Sequence, residues 1–242
     1  MSDVPFLEKH FSRSIISEQI IMVLNRQDNI YVKQCLKQCL AEFAHINHYW
    51  DPKRQQVIAK ILPGEFYMTR DNVAIATTLG SCISACIWDE HSGIGGMNHF
   101  MLPLTDKEAH EVDWGQRSMA SDATRYGNFA MEHLINMILK NGGRKVNLRA
   151  KVFGGGKVLK HMSDIGEKNI SFVMKYLADE GIPVEGSDLG SFFPRKVLFE
   201  PLSGRAFVKT IDNLHNDTIA RRESAYRNRI DQIPVEGDVE LF

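Results

Sequence analysis

Apolar residues return along this chain with two different periods, and the predicted architecture changes where the period changes. Within residues 14–46 the spacing is helical. Val32, Cys35, Leu36, Cys39, Leu40 and Phe43 fall on one stripe of an amphipathic helix, with Asp28 or Asn29 placed to cap it. Pro52 and Pro63-Gly64 then break the chain. From residue 73 the apolar runs become short and are bounded by glycine, acidic residues or proline. Those at 73–79, 83–88 and 94–102 predict strands. Helical spacing returns over 121–141 through Gly127, Ala130, Met131, Leu134, Ile135 and Ile138, with Gly142-Gly143 as the stop. A strand over 147–153 runs into Gly154-Gly155-Gly156. A second helix over 168–180 carries Ile170, Val173, Met174 and Leu177 on one face and ends at Gly181. Residues 195–200 and 205–211 flank Pro201-Leu202-Ser203-Gly204 as a hairpin. Beyond Asp212 the chain is rich in arginine, asparagine and aspartate with little periodicity, and predicts a loosely docked tail.

Helices and strands in mixed order predict an α+β or layered α/β fold. The division expected is a helical N-terminal extension over 1–46, a main domain over 47–211 and a polar tail over 212–242. A chain of 242 residues that is 43% hydrophobic can bury a full core. Its net charge of −1 supplies no positive field, so neither nucleic acid nor an anionic membrane is expected as a partner. The opening MSDVPFLEKH is too polar for a secretory signal, and the apolar run from Ile20 to Leu24 is too short to cross a bilayer. A cytoplasmic protein is therefore expected, with Cys35, Cys39, Cys82 and Cys86 reduced rather than bridged.

The chemistry concentrates in Thr77-Thr78-Leu79-Gly80-Ser81-Cys82 and Gly95-Gly96-Met97-Asn98-His99-Phe100. A cysteine after Gly-Ser at a strand end can occupy a tight turn, where backbone N–H groups point at a developing oxyanion. A histidine on a neighbouring strand can deprotonate the thiol and later protonate a leaving amine. On spacing alone, a buried cysteine and a satisfied histidine explain these residues better.

The wording of the motifs carries more. Leu79-Gly-Ser-Cys-Ile-Ser-Ala-Cys-Ile-Trp-Asp89 with Gly95-Gly-Met-Asn-His-Phe-Met-Leu-Pro103 resembles the chemoreceptor glutamine deamidase (CheD) family. The resemblance extends in order over residues 47–211 through Ile61-Leu-Pro-Gly-Glu-Phe-Tyr67, Lys151-Val-Phe-Gly-Gly-Gly156, Ile165-Gly-Glu-Lys-Asn169, Gly181-Ile182 and Arg195-Lys-Val-Leu-Phe199. Lys168 stands where the family is expected to have arginine. The resemblance implies a layered α/β sandwich of the CheD type and hydrolysis of receptor glutamine amides to glutamate, some members also cleaving methyl-glutamate esters. It puts the nucleophile on Cys82, its base on His99, and a threonine on Thr77, with Thr78 as the alternative. Ser81 and Asn98 are candidates for binding the substrate. No metal or organic cofactor is implied. The partners implied are methyl-accepting chemotaxis receptors and a CheC-type phosphatase.

Other readings compete. Cys86, four residues after Cys82, would make a redox pair, but the spacing is not C-x-x-C. Cys35, Cys39, His45 and His48 would make a zinc set, yet both cysteines lie on the apolar stripe. Phe153-Gly-Gly-Gly-Lys157 lacks the spacing of a phosphate loop and reads better as a tight turn beside the site. The other histidines, His10, His91, His110, His133, His161 and His215, read as surface or structural. A non-catalytic module that binds receptors or a CheC-type phosphatase is the alternative from another class, but it has no need of a thiol–imidazole pair.

Overall fold

A computed structural model describes residues 29–102, 122–158, 163–212 and 217–230. In chain order the helices are α1 (Ile30–Gln38), α2 (Asp122–Lys140), α3 (Ser163–Asp179) and α4 (Asp217–Ile230). The strands are β1 (Asn47–Asp51), β2 (Gln56–Lys60), β3 (Phe66–Thr69), β4 (Val73–Leu79), β5 (Ile83–Asp89), β6 (Gly95–Asn98), β7 (Leu148–Gly154), β8 (Val184–Leu189), β9 (Arg195–Glu200) and β10 (Arg205–Thr210).

They form two five-stranded sheets, β1-β2-β4-β9-β10 and β3-β6-β5-β7-β8. Pairing is antiparallel except for β2–β4 and β7–β8. Strands β4 and β5 are almost wholly buried, Thr77, Ser84 and Asp89 included, as central strands covered on both faces are. Val57, Ile75, Val197 and Phe199 of the first sheet share one core with Ala85, Ile87, Met97 and Val152 of the second. Helices α2 and α3 cover the second sheet and add Met131, Leu134, Ile138, Val173 and Leu177 to that core. The result is the α+β, layered arrangement that the pattern predicts.

Several predicted elements shift. Helix α1 is capped by Asn29, whose side chain accepts from the Tyr31 N–H at 2.9 Å, but it ends at Gln38. Cys39 is extended, and the chain resumes as a 3₁₀ turn over Ala41–Phe43. This break resets the helical phase. Val32, Cys35 and Phe43 are buried, while Leu36 and Leu40 are exposed and Cys39 is half-buried. The predicted helix over residues 14–28 lies outside the described residues. Strand β6 is shorter than 94–102, since beyond Asn98 the pairing reduces to one bridge between Ile83 and Phe100. Helix α3 starts five residues early, and its buried stripe runs through Ile165, Asn169, Phe172, Val173 and Leu177, which leaves Met174 exposed. Strands β1, β2, β3 and β8 were not expected. The largest change is in the tail, where α4 turns a charged face to solvent and buries Glu223, Tyr226 and Ile230.

Candidate active site

The chain leaves the first sheet at Leu79 and enters the second at Ile83, so Gly80, Ser81 and Cys82 form the crossover between layers. Each carbonyl of this crossover is tied down. Gly80 O accepts from Gly156 N–H at 2.7 Å, Cys82 O from Gly155 N–H at 2.8 Å, and Ser81 O from the Asn169 amide at 2.9 Å. The glycine turn after β7 permits this approach. Gly154 has φ +114°, and a Cβ there would fall 2.1 Å from Cys82 O. With the carbonyls held on one side, the N–H groups of residues 80, 81 and 82 converge on the other, forming a concave nest for an anion.

His99 follows β6 and is fixed by its backbone. Its N–H donates to Glu65 O at 2.9 Å, and its carbonyl accepts from Gly64 N–H at 2.8 Å. Its Nδ1 lies 2.7 Å from the Thr77 hydroxyl. That hydroxyl also lies 2.9 Å from the Ile61 carbonyl, to which it donates. A hydroxyl has one proton, so the Ile61 bond makes it the acceptor from Nδ1–H. The neutral imidazole therefore carries its lone pair on Nε2, which is buried without a hydrogen-bond partner. Cys82 is completely buried and His99 is 1% exposed. A ring nitrogen of His99, the Cys82 sulfur and a Glu223 carboxylate oxygen all lie within 4.8 Å of one another.

Glu223 comes from α4 and fills the nest. Its Oε1 accepts from Gly80 N–H at 2.7 Å and from Cys82 N–H at 3.3 Å. Its Oε2 accepts from Ser81 N–H at 2.8 Å and from the Ser81 hydroxyl at 2.7 Å. Burial first, then the charge and hydrogen bond of Glu223, push the Cys82 thiol well above its ordinary range. Burial, then the Arg222 guanidinium, push His99 down to about 3. With α4 docked, both shifts favour the neutral thiol and the neutral imidazole.

The predicted residues divide by position. Cys82, His99 and Thr77 meet, and Ser81 borders them. Thr78, on the opposite face of β4, is half-buried and away from His99, as strand alternation requires. Asn98, expected as a substrate-binding residue, has its side-chain amide turned into the packing between β5 and α2. Its Oδ1 accepts from Ala85 N–H at 2.8 Å and its Nδ2 donates to Ala130 O at 3.0 Å, so its amide is consumed in packing α2 onto the second sheet. Cys86 is buried in β5 and, like the other three cysteines, is unbridged. Lys168 is exposed, whereas Asn169 of the same block braces the crossover.

Among the described residues, Cys82, His99 and Glu223 are the cluster that could hold a cation. Both carboxylate oxygens already face hydrogen-bond donors, an arrangement suited to an acceptor group rather than to a metal ligand. Cys35, Cys39, His45 and His48 do not gather into such a cluster. Cys39 instead donates to Leu36 O at 3.3 Å, and His48 Nδ1 lies 2.7 Å from Ile46 O. Sequence reasoning missed Glu223 because α4 buries only two large apolar residues near it, Tyr226 and Ile230, too few to stand out as a stripe.

Known proteins resemble this chain over most of its length. The family profile described as CheD chemotactic sensory transduction matches residues 101–210. A protein of Halorhodospira halophila named "Probable chemoreceptor glutamine deamidase CheD" is 52% identical over 204 residues, covering 84% of this chain and 93% of that protein. Proteins of the same name from Methylobacillus flagellatus and Hahella chejuensis are 52% and 46% identical, covering 81% and 83% of this chain and 95% and 92% of theirs. Similarity at this level over nearly the whole of each relative shows that the chain belongs to the CheD family.

Proposed function

We propose that this protein hydrolyses glutamine side-chain amides of chemoreceptors to glutamate, with Cys82 as nucleophile, His99 as general base and acid, and Thr77 as the residue that orients His99. The observation that carries this reading is the pairing of the Cys82 thiol with an imidazole anchored at Nδ1 and open at Nε2, beside three convergent backbone N–H groups. His99 Nε2 takes the thiol proton as sulfur attacks the amide carbon, and the N–H groups of residues 80 to 82 receive the oxyanion. The C–N bond then breaks, His99 returns the proton to the departing ammonia, and a thioester remains. Water, deprotonated by the same nitrogen, attacks the thioester and releases glutamate and free Cys82. A methyl-glutamate ester would follow the same course with methanol leaving. Ser81 borders the substrate position, and no residue of the sequence need bring a cofactor.

We place the catalytic unit within residues 47–211, which contain Cys82, His99 and Thr77. A cytoplasmic location suits four unbridged cysteines, and no described helix is long and apolar enough to cross a membrane. A CheC-type phosphatase as a second partner rests on the family resemblance alone and is tested by co-purification. The activity is tested by mass spectrometry of a chemoreceptor co-expressed with this protein. Receptor peptides should gain about one dalton per converted glutamine. Receptor whose glutamines match those of a control lacking the protein would reject the reading.

A further inference from the structure

Under the mechanism above, the nest of residues 80 to 82 must receive the reacting carbonyl of another protein's side chain. In this structure it is already occupied. Glu223 carries the same functional group as the reaction's product, a glutamate carboxylate, and presents it from a helix. Every N–H of the nest points at it. Cys82 has no exposed surface beneath it. A thiol with no exposure cannot meet a side chain of another macromolecule until what covers it moves.

The rest of α4 joins the core through only two large apolar side chains, Tyr226 and Ile230. Glu223, Tyr226 and Ile230 are buried at i, i+3 and i+7, while Arg221, Ala225, Asn228 and Arg229 are exposed. Tyr226 lies over Gly64, where a Cβ would fall 2.8 Å from its ring, and its hydroxyl meets that of Tyr126 on α2. Gly80 likewise leaves room for the carboxylate, since a Cβ there would come within 2.7 Å of a Glu223 oxygen. Helix α4 therefore docks on the loops around the nucleophile. A helix of 14 residues is marginal alone, and few buried apolar contacts mark a unit that opens below the global unfolding free energy.

We propose that α4 is a built-in product mimic. Glu223 occupies the subsite for the substrate's side-chain head group and holds the enzyme closed until a receptor glutamine displaces it. The docked state is silent for a second reason, because burial and the Glu223 charge keep the Cys82 thiol protonated. Release of α4 removes both effects and exposes the thiol. The proposal rests on the deamidase reading for what the mimic imitates, but the closure itself has its own readout.

The test is peptide-resolved alkylation by iodoacetamide of the full chain, comparing wild type with Glu223→Ala and with Glu223→Lys, whose side chain has no acceptor for the nest. Cys86, fully buried within β5, reports the integrity of the fold. Cys82 should react about tenfold faster or more in both variants, with Cys86 unchanged. Purified chemoreceptor fragment should also be deamidated faster. Cys82 reacting at the wild-type rate in both variants would overturn the proposal. So would a parallel rise at Cys86 in both, since Glu223 would then hold the fold rather than cover the site. Faster Cys82 alkylation with no receptor conversion by any form would leave the closure standing and reject the deamidase reading. Receptor conversion with unchanged alkylation would do the reverse.

Discussion

Thr77 and His99 meet across the two sheets, the threonine hydroxyl lying 2.7 Å from Nδ1 of the imidazole. The Ile61 carbonyl fixes the direction of the hydroxyl proton, and so fixes the tautomer of the base. Thr77→Ala should lower deamidation about tenfold, the kinetic equivalent of one hydrogen bond of roughly 1.4 kcal/mol. Thr78→Ala should stay close to wild type, because its side chain lies on the opposite face of β4. Initial rates on a purified receptor fragment distinguish the two, and equal rates would remove the hydroxyl from the mechanism.

His99 also links stability to pH. Burial and then Arg222 hold it down to about 3 in the folded chain, against about 6.5 when unfolded. Below about 6.5 the unfolded chain therefore binds a proton that the folded chain refuses. Stability should be level above that pH and fall toward 3, with a limiting slope of about 1.4 kcal/mol per pH unit for this group. His48, lowered by burial, adds in the same direction. Urea midpoints measured from pH 7 to 4.5 should decline less steeply for His99→Gln than for wild type. Identical slopes would show that His99 does not titrate this way.

The two N-terminal cysteines should behave differently from each other. Cys35 is 6% exposed, and burial raises its thiol to about 11. Cys39 lies beyond the end of α1, half-buried. Cys35→Ala should cost about 1 kcal/mol of stability, and Cys39→Ala no more than about 0.5 kcal/mol. Denaturant unfolding checks both. Neither change should affect deamidation, and stoichiometric zinc lost on either substitution would overturn this assignment.

The central strands and α2 were legible because their own residues dictate them. The run 73–79 is mostly apolar and becomes β4, and the stripe from Gly127 to Ile138 sets the buried face of α2. Legibility failed where tertiary contacts overrule local pattern. Asn98 looked available beside the base, but strand alternation turns it toward Ala85 and Ala130. Leu36 and Leu40 fit a helical stripe that the extended Cys39 interrupts. Glu223 was invisible because nothing local distinguishes one glutamate in an arginine-rich segment. Its role follows from backbone N–H groups more than a hundred residues earlier.

Loss of the nucleophile itself gives the sharpest result. Cys82 is replaced by alanine, which removes the sulfur from a position enclosed by His99, Ser81 and Glu223. Purified receptor fragment is then incubated with wild type or with Cys82→Ala, and both ammonia release and the mass of each glutamine-containing peptide are followed. Wild type should release one ammonia for each gain of about one dalton, and Cys82→Ala should give neither above the receptor-alone background. Conversion of receptor glutamine by the Cys82→Ala protein at a wild-type rate would contradict the account.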